Sequence, residues 1–588
     1  MYFKKQALLI LTVIITVTLL LAGLWHFKIF RIHSQKIAAP RGKILDRSGR
    51  PIITNRPTVN VVWNRLEADN PAEVIKELAG ILDEDISVLL SRVQAAPPNP
   101  PGTPILIVEN VSRDKEGRLL ALPGVHLVPS SVRDYPHGNL ASHLVGFVGE
   151  VARKEIQENH DARYRAGDPI GKWGTEKTFE KELKGKDGQA LMLDIAGLEP
   201  HRVQVQKLVP GKDLHLTIDL ELQRAAEDAM GDKAGAVVVM EVNSGNLLAM
   251  SSTPHLPLEE FAGGISASVW ERLIKDPLHP LLNKAIQGQY PPGSTFKIVT
   301  ALAALSEGVI SPDATFLCNG LDIDNRRYSC QKKDGHGSVD LHRALTESCD
   351  VYFYSVGQRL GIDTIARYAD LLGLGRKTGI ALEHEKGGLI PTTVWKQQRF
   401  KEEWREGETL SAAIGQGYVL TTPLQICRLT AAVANGGTLY TPRLARRIAA
   451  SEGKPVVKTF VPTNDGRIPV STKALALIRK AMIETTSSPG GNAKAALLPA
   501  DTMGGMAGTT QVVHLALVNG KNEKNLPYSY RDHSWFTSFA PAEQPEIAVT
   551  VLVEHGGGGG LVAEAIARDV LKRFFELKNE PRKKETLP

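Results

Sequence analysis

Hydrophobic positions along the chain fall into three successive patterns. Residues 7–25, "ALLILTVIITVTLLLAGLW", are continuously apolar and uncharged, near the length that crosses a bilayer. They predict a single transmembrane helix at 7–27 after a short tail at 1–6. A cleaved signal peptide competes, but the run is long for one and no clear small-x-small cleavage site follows. Beyond it, "APRGKILDRSGRPIITNR" (39–56) reads as a strand, a turn at Ser48-Gly49 and a second short strand. Residues 57–96 carry helical spacing in two pieces, and the Pro-rich "AAPPNPPGTP" (95–104) interrupts the pattern as a loop.

From about residue 210 the pattern is more regular. "DLHLTIDLELQRAAEDAM" reads as strand then helix, and "AGAVVVMEVNSGNLLAMSS" as an apolar hairpin turning at Asn243-Ser244-Gly245. A helix-rich stretch runs to about 485, and strands resume at "QVVHLALVNG", "SWFTSFAP" and "EIAVTVLVEH". The last leads through Gly556–Gly560 into "LVAEAIARDVLKRFFEL", a helix. Strands at both ends with helices between predict one sheet assembled from distant parts of the chain, an α/β (α+β) architecture large enough to hold a cleft. The organisation expected is an elongated mixed domain at 37–209, the α/β unit at 210–577 and a mobile charged tail at 578–588.

Composition narrows the function classes. The 588 residues are 42% hydrophobic, ample for several cores and unlike a disordered chain. The net charge of +6 is spread without a basic block, aromatic stacking motif or nucleic-acid fold signature, so no nucleic-acid partner is expected. Lys4 and Lys5 precede the apolar run, whereas Lys28, Arg31, Lys36, Arg41 and Lys43 follow it; a literal positive-inside count puts the bulk of the chain in the cytoplasm.

Candidate chemistry begins at "QYPPGSTFKIVT" (289–300), where Ser294 stands three residues before Lys297. A serine hydroxyl is a weak nucleophile at neutral pH, and a lysine one helical turn later can take its proton from the same face. Backbone N–H groups at the helix start would favour developing negative charge. Serine is also a preferred helix cap and Ser-x-x-Lys recurs by chance, so the tetrad alone leaves both readings open. The cysteines form a second constellation: Cys318, Cys330, His336 and Cys349 are spaced C-x11-C-x5-H-x12-C. That is a complete Cys3His donor set for structural zinc, and equally compatible with a Cys318–Cys330 disulfide beside an unrelated His336 and a buried Cys349. Cys427 sits alone on an apolar helix and reads as core.

Seven stretches in order, "RGKILDRSG", "YPHGNLASHLVGFVGEV", "LTIDLELQ", "YPPGSTFK", "ESCDVYFYSVG", "AIGQGYVLTTPLQ" and "SWFTSFAPAEQPEIAV", together resemble the class B penicillin-binding proteins, and among these the elongation type. The resemblance spans nearly the whole chain after the apolar run. It implies a bitopic protein of the bacterial inner membrane with its bulk in the periplasm, against the positive-inside count. A pedestal (dimerisation-type) domain would dock a polytopic glycosyltransferase of the rod-shape machinery, and a C-terminal penicillin-recognising serine transpeptidase fold would cross-link peptidoglycan stem peptides and bind β-lactams. In that family's terms Ser294 is the nucleophile, Lys297 the base, Ser348 a proton relay and Asp350 the carboxylate that holds the lysine. Some elongation-type members carry zinc at positions matching the cysteine cluster, which favours the metal over the disulfide. No organic cofactor is implied.

The third motif departs from the pattern. Relatives read Gly-Lys-Thr-Gly-Thr or Gly-Lys-Ser-Gly-Thr, whereas this chain reads Gly505-Met506-Ala507-Gly508-Thr509. The flanking "GNAK" (491–494) and "TQVV" (510–513) set the register, so Lys494 is not a displaced replacement. Gly508 and Thr509 remain for an oxyanion hole. Two functional readings follow: an active D,D-transpeptidase, and a catalytically impaired homologue acting as scaffold or activator of the glycosyltransferase. Intact Ser294, Lys297 and Asp350 favour the enzyme. Structural roles are expected for Arg41, Asp46, Arg47 and Gly49, for a packed His143, and for Gly415, Gln416 and Gly417 at a cleft-side turn.

Overall fold

The computed structural model describes residues 30–95, 104–152, 154–156, 164, 168–195, 201–262, 265–320, 328–451, 455–498, 503–512 and 526–580. The predicted span at 7–27 lies outside them, as do residues 513–525 and 581–588. Among the described residues no helix is long and apolar enough to cross a membrane.

Near-continuous apolar runs such as "GAVVVME" suit strands buried on both faces, and they assemble the catalytic half. Five strands, β1 (Gly235–Glu241), β2 (Leu247–Thr253), β3 (Gly504–Thr510), β4 (His533–Ala540) and β5 (Ile547–Val553), form one sheet in the order β2-β1-β5-β4-β3. Every neighbouring pair is antiparallel. The predicted assembly from both ends of the chain is therefore observed, with β3 at an edge. Helices α1 (Leu220–Met230) and α6 (Leu561–Asn579) cover one face, enclosing Leu222, Val237, Phe536, Val551, Ala567 and Val570. The other face packs against the helical region that contains α2 (Lys297–Ser306), α3 (Asp350–Leu360), α4 (Pro423–Ala434) and α5 (Thr472–Ser487). Burying each large apolar side chain here contributes about 1.5–3 kcal/mol. Cys427, fully buried on α4, is core as expected. Helix α6 extends to Asn579, two residues into the predicted tail, of which 581–588 lie outside the described residues.

In the N-terminal half, Ile44–Leu45 and the long strand Pro51–Trp63 flank the Ser48-Gly49 turn. Residues 57–63, read from the sequence as helical, continue that strand because they pair on both sides, with Ile105–Val111 and Val125–Asp134; the two helices begin later, at Pro71–Leu82 and Ile86–Ala95. The halves share a sheet: Asp213–Leu216 pairs in parallel with Ile44–Leu45 and antiparallel with Ala445–Ala449. Asp46 accepts from the Ser48 and Arg50 amides at 2.8 and 2.9 Å, and Gly49 supplies the φ of +98° that the turn requires. Arg41 reaches Glu176 at 2.7 Å and Glu180 at 2.8 Å, while Arg47 reaches Glu241 at 3.1 Å. His143 is buried, its Nε2 2.6 Å from Pro280 O. Arg41, Asp46, Arg47, Gly49 and His143 all have the structural roles expected of them.

Candidate active site and cysteine cluster

Gly293–Phe296 form a 3-10 turn that runs directly into α2. Pro292 holds the cap position and Ser294 lies inside the turn, so its hydroxyl caps neither element. The open choice between cap and nucleophile is thereby resolved against the cap. One turn on, Lys297 is fully buried, and its Nζ donates to Ser348 O at 3.0 Å, Ser348 Oγ at 2.9 Å and Asp350 Oδ1 at 2.7 Å. Those three bonds use every donor an ammonium has. Ser348 Oγ in turn donates to Ser294 Oγ at 3.2 Å. The four predicted residues therefore converge, in the order Asp350, Lys297, Ser348, Ser294. Spacing suggested that Lys297 meets Ser294 directly; the observed chain passes through Ser348. As a neutral amine Lys297 keeps its donations to Ser348 O and Asp350 Oδ1 and turns its lone pair to Ser348 Oγ, whose hydroxyl can then rotate to donate to the lysine and accept from Ser294. In that state the chain can carry a proton from Ser294 to the lysine.

Ser348 adopts φ +55°, left-handed backbone that costs a non-glycine residue about 1–3 kcal/mol. The conformation turns its carbonyl and its hydroxyl together onto Lys297. No sequence signal marked this, since serine is common in ordinary loops. Asp350 opens α3, and its Oδ2 accepts from the Gln331 amide at 3.2 Å. That second hold on the carboxylate, from a loop 19 residues upstream, was also invisible in the sequence.

Strand β3 closes the other side. Gly293 has φ +56°, and a Cβ there would lie 2.6 Å from Thr509 O and 3.3 Å from Thr509 N. A Cβ on Gly508 would lie 3.0 Å from Pro292 O. The two glycines let the strand backbone approach the serine turn closely. Thr509 Oγ1 accepts from Gly559 N at 2.8 Å. Gly415 packs on this turn as well, its carbonyl accepting from Gly293 N at 2.9 Å. Met506 and Ala507 lie on β3 and are buried at 0% and 4% exposure, Met506 among residues of the helical side and Ala507 on the opposite face. Their partners across the ladder are Thr537 and Phe536. Lys494 lies in a separate 3-10 turn with its Nζ on Pro489 O, away from the strand.

Cys318, Cys330, His336 and Cys349 are all buried, and their donor atoms lie within 4.8 Å of one another. None of the cysteines is in a disulfide. Cys318 Sγ and Cys330 Sγ stand 3.5 and 3.4 Å from His336 Nδ1, close to the edge of about 3.6 Å in a tetrahedral zinc site with bonds of 2.0–2.3 Å. A hydrogen bond between Cys349 and Cys330 lowers the Cys330 thiol to about 5, making it the more acidic of the two, and pushes the Cys349 thiol up. The donor set thus fits a tetrahedral ion. Cys330 immediately precedes Gln331, and Cys349 lies between Ser348 and Asp350, so the cluster grips both ends of the Gln331–Asp350 bond.

Comparison with known proteins matches residues 235–572 to the penicillin-binding protein transpeptidase domain and residues 36–216 to the penicillin-binding protein dimerisation domain. The peptidoglycan D,D-transpeptidase MrdA of Haemophilus influenzae is 33% identical over 93% of this chain and 85% of its own length. Among solved structures, the complex between penicillin-binding protein PBP2 and MreC from Helicobacter pylori covers 93% of this chain and 99% of its own, with 29% identity and a TM-score of 0.77. A chain from a study of polymerization and crosslinking by a peptidoglycan synthase complex covers 97% and 99%, with 27% identity and a TM-score of 0.72.

Proposed function

The chain belongs to the penicillin-binding protein transpeptidase family, and from that premise we infer that it is a peptidoglycan D,D-transpeptidase of cell elongation, a serine enzyme acting on D-Ala-D-Ala stem peptides. The observation that carries the catalytic assignment is the hydrogen-bonded chain from Asp350 through Lys297 and Ser348 to Ser294. Ser294 Oγ attacks the carbonyl carbon of the penultimate D-alanine while its proton passes through Ser348 to Lys297. The tetrahedral oxyanion is received by the Ser294 and Thr509 amides. Collapse breaks the peptide bond, and the leaving D-alanine amine takes a proton back along the same chain. The acyl group then passes to the amine of a second stem, regenerating the Ser294 hydroxyl. A β-lactam enters at the first step and stays as the acyl adduct.

The scaffold reading rests on Met506 and Ala507 and is disfavoured by the intact chain of proton-transfer groups. Intact-mass measurement after penicillin treatment tests the assignment: one adduct, mapped to Ser294, is expected, and an unmodified folded protein would overturn it.

The cluster of Cys318, Cys330, His336 and Cys349 is assigned to structural zinc, supported by its donor chemistry and by the convergence of its donor atoms within 4.8 Å. The ion would tether the loop that carries Ser348 and Asp350. The partners assigned are components of the rod-shape system, including a polytopic glycosyltransferase; the MreC complex of the H. pylori relative and the peptidoglycan synthase complex support this. The apolar run at 7–27 is assigned as the anchor in the bacterial inner membrane, with the bulk of the chain periplasmic. A periplasm-only reporter fused after Pro588 is expected to be active; activity of a cytoplasmic reporter alone would reverse the topology.

A further inference from the structure

At the seam between the N-terminal domain and the catalytic domain, besides the partly exposed Arg47–Glu241 and Arg50–Glu221 ion pairs, lies a buried titratable group that the proposed reaction leaves unused. Glu227 on α1 is 8% exposed, and its Oε1 accepts from the Ala141 amide at 2.8 Å and from Gln223 Nε2 at 2.7 Å. Gln223 is itself fastened to β2, its Oε1 accepting from Met250 N at 2.8 Å and its Nε2 donating to Met250 O at 3.1 Å. A rigid line thus runs from the sheet through Gln223 and Glu227 to the N-terminal segment 136–146. Ala141 holds φ +58°, strained for alanine, and the conformation aims its N–H at the carboxylate. Neighbouring bonds hold the same segment, with Leu258 N on Asn139 Oδ1 at 2.9 Å and Leu256 N on Ser142 Oγ at 3.0 Å. Neither can change charge.

A cavity of ≈ 480 Å³ opens beside this bond, lined by His137, Asn139, Arg224, Glu227, Asp228 and His255. It offers water and protons a route to a carboxyl that is otherwise enclosed. The charged and titratable groups facing Glu227 are Arg224 and Asp228 from its own helix and His255, whose Nε2 is 3.7 Å from Glu227 Oε2. His137, from the N-terminal segment, is engaged by Arg224 at 3.2 Å. His143 on the same segment is held neutral, since burial drops it to about 3.

We propose that Glu227 is a proton-operated latch between the two domains: with its carboxyl protonated the segment 136–146 stays closed on α1, and ionisation loosens it. The physical cause is burial. An ionised carboxylate at this depth loses most of its hydration for two hydrogen bonds, and opening the seam toward the cavity restores water to it. Burial raises the Glu227 carboxyl to about 7 in the closed state, against the ordinary value of 4.5 expected once it is hydrated. The closed state then binds more protons than the open one, so closure is strongest below about 4.5 and weakens as pH rises toward about 7.

Hydrogen exchange on the full-length protein in detergent reads this directly, because the Ala141 amide is one of the two donors to the latch. After correction for intrinsic rates, protection of residues 136–146 is expected to fall by up to about tenfold per pH unit between about 5 and 7. In Glu227→Gln, a neutral isostere, it should stay high and flat, and in His255→Gln the wild-type slope should persist. A flat profile in the wild-type protein overturns the latch without needing any variant. A slope that survives Glu227→Gln but vanishes in His255→Gln moves the switch to the imidazole and also overturns it. Penicillin labelling of Ser294 in the same samples reports separately on the proposed reaction.

Discussion

Ser348 Oγ stands between Lys297 and Ser294, 2.9 Å from the ammonium and 3.2 Å from the nucleophile's oxygen. In the proposed mechanism this places the hydroxyl of the second motif on the proton path of acylation, in addition to the leaving-group step. Ser348→Ala is expected to slow acylation by a fluorescent penicillin by about 10²–10⁴-fold, the range of a lost general acid–base contribution, and Ser294→Ala to abolish labelling. Labelling of Ser348→Ala at the wild-type rate would mean that Lys297 reaches Ser294 without the relay.

The family resemblance implies a lysine where this chain has Met506, and its loss is expected to cost a charge-assisted hydrogen bond to the substrate carboxylate, about 1.5–3 kcal/mol or roughly ten- to a hundredfold in rate. Met506 and lysine have similar volumes, so the lysine stem can fill the same buried slot while its ammonium reaches toward the cleft. Met506→Lys with Ala507→Thr is expected to accelerate acylation by at least about tenfold. A folded double variant that shows no acceleration would place the carboxylate's partner elsewhere.

About one zinc per chain is expected by elemental analysis of protein purified without chelator. Cys349→Ser should lower occupancy and damage function most, because Cys349 sits between Ser348 and Asp350. Metal-free protein with a Cys318–Cys330 disulfide in its peptide map would replace the ion by the covalent link.

Glu564, in the first turn of α6, is fully buried; Oε2 accepts from Ala495 N at 3.1 Å and Oε1 has no partner. Burial raises its carboxyl to about 7. The folded state therefore binds a proton that the unfolded chain releases near 4.5, and this contribution to stability is lost as pH rises from about 4.5 to about 7. Glu564→Gln is expected to melt near the wild-type temperature at pH 5 and to be more stable by about 1–3 kcal/mol at pH 8. Equal melting at both pH values would show that the carboxyl ionises without penalty.

Much was legible along the chain because it depends on neighbours in sequence. Residue periodicity marked the buried strands β1, β2, β4 and β5, and one helical turn put Ser294 and Lys297 into one site, although not in direct contact. Seven ordered motifs carried the family, and register around residue 506 followed from flanking residues. Reading failed where context overrode local pattern: residues 57–63 have mixed spacing, and pairing with Ile105–Val111 and Val125–Asp134 makes them a strand. The cysteine spacing left metal and disulfide open because spacing says nothing of where three loops meet.

Sequence by itself determined the residue types, their order and the local turns: a serine one helical turn before a lysine, a Ser-x-Asp motif and a β3 strand without its cation. Only the tertiary structure decided that Ser348 bridges Lys297 and Ser294, that the Gln331 amide grips Asp350, and that Glu227 joins two domains. Hydrogen bonds act over about 3 Å in space, whereas these partners lie 54, 19 and 86 residues apart in the chain, and no local propensity encodes such distances.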